Sequence, residues 1–168
     1  MPEPLRHRFT IKVIPPHTII HQKDSDLTAF GIVCRGNHRV INEFENGNVF
    51  MIEQNEAIAF LGEVTLLAGM QTTSVTIETV TEFTVLFFSL DDYHLWVRQD
   101  MHFLQLLSRS IARKLYHSSY NQGERLFYSS RYLLLKYIAG YVGREGHWEC
   151  DRVIVRKTRQ QLYEELGM

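Results

Sequence analysis

Ser74-Val-Thr-Ile-Glu-Thr79 alternates without a break. In an extended chain Val75 and Ile77 fall on one face and Ser74, Thr76 and Glu78 on the other, the period of two expected of a half-buried β-strand. On either side of this stretch the chain from Phe9 to Phe88 is cut into short runs rich in β-branched and aromatic residues: Phe9 to Ile14, Phe30 to Cys34, Asn37 to Phe44, Val49 to Ile52 and Phe83 to Phe88. Asn46-Gly47 separates two of them with the positive φ angles a tight hairpin needs, and Gly36-Asn37 repeats the signal more weakly. About eight short strands at hairpin spacing predict a β-roll or jelly-roll barrel, an arrangement that disposes of exposed sheet edges.

After Phe88 the hydrophobic period lengthens to between three and four, so the fold class is α+β. Ser89 with Asp92 resembles a capping box, and Asp100 can cap the helix that follows. That helix is predicted from about Met101 to Leu126, with Leu104, Leu107, Ile111 and Leu115 as an apolar seam and Arg109, Arg113 and Lys114 turned elsewhere. A helix of this length, about 30 Å or more, exceeds what packing on a small barrel requires, so the seam is expected to hold two chains together as a homodimer. Its second half turns polar through Ser118, Ser119 and Gln122. A further helix, about Ser130 to Val142, carries Leu133, Leu134, Tyr137, Ile138 and Tyr141 on one side and is closed by Gly143 and Gly146. Val153-Ile-Val155 suggests a short strand, and Thr158 with Gln161 is a capping box opening a short helix that ends at Gly167. A helix and a glycine turn form the first half of a helix-turn-helix, whose reading helix would lie beyond Met168. The expected division is 1–100 for the barrel, 101–127 for the dimerisation helix, and 128–168 for a hinge helix and an incomplete winged helix-turn-helix.

The 168 residues, 45% hydrophobic and 22% charged, have the composition of an ordinary globular protein. No run approaches the roughly 18 apolar residues of a membrane span, and the first residues lack a secretory h-region, so a cytoplasmic location without membrane contact is expected. Cys34 and Cys150 fit a reducing compartment as structural residues, and a lone pair cannot supply the about four ligands of a structural zinc or iron–sulfur site. His17 and His21 are four apart in a β-type region where that spacing does not converge on a metal, and His147-Trp-Glu-Cys150 reads as a hairpin turn. No His-x-His pair, Gly-x-Ser-x-Gly elbow, phosphate-binding loop or dinucleotide fingerprint occurs, so neither an enzyme nor a metal or cofactor site is expected. The aromatic cluster Phe83, Phe87, Phe88, Tyr93 and Trp96 reads as core. A net charge of −1 offers no global attraction to nucleic acid. Arg152, Arg156, Lys157 and Arg159 are either a local phosphate-contacting patch or a solvated basic turn.

A β-barrel, the segment Phe60-Leu-Gly-Glu-Val-Thr-Leu-Leu-Ala-Gly69, a long helix and a strand leading into Thr158-Arg-Gln-Gln-Leu-Tyr-Glu-Glu-Leu-Gly167 follow in this order. So arranged, the chain resembles the cyclic AMP receptor protein/fumarate-nitrate regulator (Crp/Fnr) family of bacterial transcription regulators, from about Ile14 to Met168. The resemblance implies a cyclic-nucleotide-binding-domain-like barrel, a homodimer, and DNA binding in the full-length regulator with Arg156, Lys157, Thr158 and Arg159 near the DNA. It also implies a small-molecule effector pocket formed by Gly62, Glu63, Val64, Thr73, Ser74, Ser118 and Ser119. Gly62 would let the backbone approach a ligand, and Glu63 with the next helical turn would present free N–H groups to an anion. The other reading of Gly62 and Glu63 is a turn glycine and a capping carboxylate, and of Ser118 and Ser119 two hydroxyls facing water. Cyclic-nucleotide-binding relatives carry an arginine and then a serine about eleven residues after the glycine, and here Thr73 and Ser74 stand there. Losing charge-assisted bonds of about 1.5 to 3 kcal/mol each removes cyclic AMP as the expected effector. The alternative to a regulator is a stand-alone small-molecule-binding or protein-interaction domain that never touches DNA.

Overall fold

Eight antiparallel strands form the first part of the chain in the computed structural model, which describes residues 1–145, 147–149 and 152–166. They are β1 (Phe9–Ile14), β2 (Ile19–His21), β3 (Phe30–Arg35), β4 (Asn37–Glu43), β5 (Val49–Glu56), β6 (Ala59–Leu61), β7 (Thr76–Thr79) and β8 (Phe83–Phe88). One four-stranded sheet has the order β1-β8-β3-β6 and the other β2-β7-β4-β5. Val33, Leu61, Ile77, Phe83 and Val85 are buried together from both sheets. This is the roll that the short β-branched and aromatic runs predict.

Three local expectations are corrected. Gly36 does not close a hairpin: β3 and β4 lie in different sheets, so the chain turns a corner there. Its φ is +94°, and an added Cβ would sit 2.3 Å from the Glu82 carbonyl oxygen, so only glycine fits. Because the chain crosses between sheets, β1 and β6, and β2 and β5, remain as sheet ends, which a closed barrel would remove. Finally, β7 is not half-buried. It is an inner strand, and Thr76 on its polar face is covered as fully as Ile77 on the apolar one, with the Lys23 N–H and the Gln22 amide donating to the Thr76 hydroxyl. The strands β2 and β6 have three residues each, too short for periodicity to reveal.

The helices are α1 (Glu63–Leu67), α2 (Leu90–Gln99), α3 (Met101–Phe127), α4 (Ser130–Glu145) and α5 (Arg159–Leu166). Asp92 donates its backbone N–H to the Ser89 hydroxyl at the start of α2, and Phe103 donates its N–H to Asp100 Oδ1 at the start of α3. The two helices meet at Trp96 and Phe103, whose rings stack with centroids 3.9 Å apart. These join Leu5, Phe30, Phe88, Tyr93 and Leu107 in a second core under the first sheet. Helix α4 runs through Gly143 instead of stopping there; one helical glycine costs only about 1 kcal/mol. Residues His147–Glu149 form a strand, not a turn: as β9 they pair antiparallel with β10 (Arg152–Ile154). Gly146, Cys150 and Gly167 lie outside the described residues. The Thr158–Gln161 box is closed in both directions, and α5 packs on β5. Among the described residues no helix is long and apolar enough to cross a membrane.

Candidate functional site

The segment Phe60–Gly69 that carries Gly62 and Glu63, here called the cassette, comprises the end of β6 followed by the five-residue helix α1. Gly62 joins them at φ +85°, where L side chains are strained, and a Cβ there would press on the Leu27 side chain at 3.0 Å. This sharp junction turns the next side chain, Glu63, inward, where the residue is only 2% exposed. Val64 and Leu67 on the same short helix point out and are exposed.

A buried carboxylate needs a counter-charge, because desolvation otherwise outweighs anything burial gains. That charge comes from α3. Lys114 donates from Nζ to Glu63 Oε1 at 2.8 Å, and Glu53 Oε1 on β5 lies 3.7 Å from the same nitrogen. Burial opposes the lysine charge, but the two carboxylates outweigh it and raise the Lys114 pKa. His38 on β4 is buried and packs edge-on against Phe83. Burial first, and the nearby Lys114 charge second, lower its pKa to about 4, so the imidazole is neutral near pH 7. Asn55 pairs with His38 across the β4–β5 ladder. Tyr93 has its phenol pKa raised by burial and by the Glu63 charge. His38 Nδ1, Asn55 Nδ2 and the Tyr93 hydroxyl are all buried without a hydrogen-bond partner among the described residues.

Sequence reasoning counted Glu63 among the effector-pocket residues and only set Lys114 off the apolar seam, without giving it a partner. The spacing carried the missing signal. Phe103, Leu107 and Lys114 are four and seven residues apart, so they share one helical face, and Phe103 and Leu107 are both buried in the core. Leu107 therefore leaves the expected dimer seam: it is fully buried within its own chain. Leu104 and Ile111 are half-buried, while Leu115 is 66% exposed and Tyr116 beside it 73%.

The other expected site residues are dispersed. Thr73 is buried with its hydroxyl donating to the Gln22 carbonyl at 2.7 Å, so it pins the loop after β2, and Ser74 is exposed. Ser118, one turn beyond Lys114, is half-buried, and Ser119 is exposed. In the basic segment Lys157 pairs with Glu165, and Arg159 donates from Nε to the Tyr163 hydroxyl at 3.1 Å. Arg156 and Thr158 are exposed. His17 is exposed and lies 3.5 Å from Glu78, whereas His21 is buried. Cys34, expected to be structural, is exposed as a free thiol.

Residues 11–100 match the family model of the cyclic nucleotide-binding domain. Among curated proteins no sequence matches the chain significantly. Solved structures do. The c-di-GMP-responsive global regulator CLP of Xanthomonas campestris superposes with a TM-score of 0.84 at 14% identity, over 95% of this chain and 80% of that one. A CooA variant from Carboxydothermus hydrogenoformans gives 0.71 at 14% identity, covering 95% and 70%. FixK2 of Bradyrhizobium japonicum gives 0.71 at 12% identity, covering 95% and 78%. The roll and the long helix after it thus share one recurring fold with these structures, and the chain belongs to the cyclic nucleotide-binding domain family, with the fold of the Crp/Fnr transcription regulators.

Proposed function

We propose that this chain is the ligand-sensing and dimerising part of a Crp/Fnr-type DNA-binding transcription regulator whose effector is not cyclic AMP. The observation that carries the reading is the position of α3. One side of the helix meets the cassette through Lys114 and Glu63, and the other leaves Leu115 and Tyr116 exposed, where a second copy of the helix would cover them. A change at the cassette would thereby reach the dimer interface through a single rigid element. In a regulator of this type that interface sets the spacing of the two DNA-reading helices, so an effector acts by shifting the population of two dimer geometries. Arg156, Lys157, Thr158 and Arg159 belong to the DNA-proximal end of this arrangement, with Lys157 and Arg159 first having to exchange their partners Glu165 and Tyr163 for phosphates.

The exclusion of cyclic AMP rests on Thr73, which stands where nucleotide-binding relatives carry arginine and whose hydroxyl is committed to Gln22. A thermal-shift and calorimetric screen against cyclic AMP, cyclic GMP and a panel of metabolites tests it. A ligand at 100 times its dissociation constant stabilises the fold by about 2.7 kcal/mol. Stabilisation by a non-nucleotide and not by cyclic AMP is the expected result; stabilisation by cyclic AMP overturns the exclusion. Sedimentation of the same sample tests the dimer, and a monomer at high concentration favours the stand-alone domain instead.

A further inference from the structure

We infer that strand β4 is a second line of communication, within one chain, between the interior of the roll and α5. His38 and Arg39, consecutive residues on opposite faces of the strand, are its two ends, and the Arg39–Glu164 ion pair is the latch it controls. The inference goes beyond the reading above, which routes a change through α3; its regulatory meaning, though not the coupling itself, rests on that reading.

Three observations carry it. The first is that the β4–β5 pair is two-sided. His38 and Asn55 stand opposite each other on the inner face, while Arg39 stands opposite Gln54 on the outer face, and α5 packs on β5. Successive residues of a strand point to opposite faces of one shared backbone, so a displacement at His38 is also a displacement of Arg39. The second concerns the inner end. His38 is only 1% exposed, and neither its Nδ1 nor Asn55 Nδ2 has a hydrogen-bond partner among the described residues, so a polar group that enters the roll finds its unpaired atoms on these two side chains.

The third is that the outer end is held firmly on both sides of the latch. Arg39 donates from Nε and Nη2 to Glu78 Oε2 on β7, at 3.1 and 2.9 Å, and from Nη1 to Glu164 Oε2 at 2.9 Å. The other Glu164 oxygen accepts from Gln160 Nε2 at 3.1 Å, within α5 itself. With the guanidinium fixed to the sheet and the carboxylate fixed to its helix, side-chain rotation cannot absorb a shift of β4, and the pair either holds α5 or releases it. A different attachment, from the Tyr137 hydroxyl to Glu165, ties α5 to α4 and does not pass through β4.

Hydrogen exchange in Arg159–Leu166 reads the latch. His38→Gln should speed it about fivefold; the increment should shrink below about twofold in an Arg39→Ala background and survive in a Tyr137→Phe background. Exchange at the wild-type rate in His38→Gln overturns the route through β4, and so does the same increment with Arg39 removed. Because a substitution at buried His38 also strains the roll, the converse is measured from outside. Coupling is reciprocal, so Glu164→Gln should shift the NMR signals of the Asn55 side-chain amide and the His38 imidazole, and unmoved signals overturn the inference. Both readouts use the chain without ligand or DNA and hold for monomer and dimer alike. Failure of the sensory reading in sedimentation or in the metabolite screen is therefore distinguishable from failure here.

Discussion

Arg39 and Glu164, 125 positions apart in the chain, meet at 2.9 Å. Arg39 lies on the outer face of β4, and the same guanidinium donates from Nε and Nη2 to Glu78 Oε2 on the neighbouring strand. Glu164 belongs to α5, the helix with which the DNA-reading part is proposed to begin. A single side chain thus clasps α5 to the sheet that carries the cassette's polar neighbours. Arg39→Ala is expected to raise hydrogen exchange in Arg159–Leu166 by about tenfold while leaving β3 and β8 protected. The pairwise energy with Glu164, from a double-mutant cycle, should be about 1 kcal/mol. Unchanged exchange in α5 would show that apolar packing on β5 holds it instead.

The long helix carries two kinds of leucine, and they should respond differently. Leu107→Ala is expected to destabilise the fold by about 2–5 kcal/mol, because the residue is fully buried beside Phe103 and leaves a cavity. Leu115→Asp, at an exposed site, should change monomer stability by less than about 0.5 kcal/mol. Combined with Ile111→Asp it should convert dimers to monomers in sedimentation. A dimer that survives both charges removes this face from the interface.

Acid should destabilise the chain between about pH 6.5 and pH 4 through His38. The imidazole pKa falls from its ordinary value to about 4 on folding, so within that window the unfolded chain binds the proton and the folded chain does not. Stability therefore rises with pH through the window and is lost as pH falls, by on the order of 3 kcal/mol in all. His21, whose pKa burial also lowers, acts in the same direction. Thermal unfolding measured across the window checks this: His38→Gln should flatten the dependence, and an unchanged slope in that variant would assign it elsewhere.

Gly36 and Gly47 both have positive φ, yet alanine should be tolerated at only one of them. At Gly47 an added Cβ meets nothing within 4 Å, so Gly47→Ala should cost only the conformational strain of about 1–2 kcal/mol. At Gly36 the same atom would meet the Glu82 carbonyl oxygen, so the corner between the sheets must move. Equilibrium denaturation should rank Gly36→Ala as clearly the more damaging.

What the sequence determined by itself is local or periodic. Runs of β-branched and aromatic residues located the strands Phe9–Ile14 and Phe83–Phe88 to the residue, because strand preference is carried by the residues of the run itself. Asp100 and the Thr158–Gln161 box marked helix starts, because a cap bonds within three residues of itself. The cassette was legible too, through Gly62 and Glu63, whose geometry is set by adjacent residues.

Only the tertiary structure decided which face each element buries. The corner at Gly36, the covering of Thr76 on both sides and the inward turn of Lys114 all depend on residues far away in the chain: Glu82, Gln22 with Lys23, and Glu63. A lysine on an amphipathic helix reads as solvated because charge burial is costly in general. Here Glu63, 51 positions earlier, is buried first by the turn at Gly62, and its unmet charge is what makes an inward lysine favourable. That compensation is a property of two distant residues brought together, and no local pattern contains it.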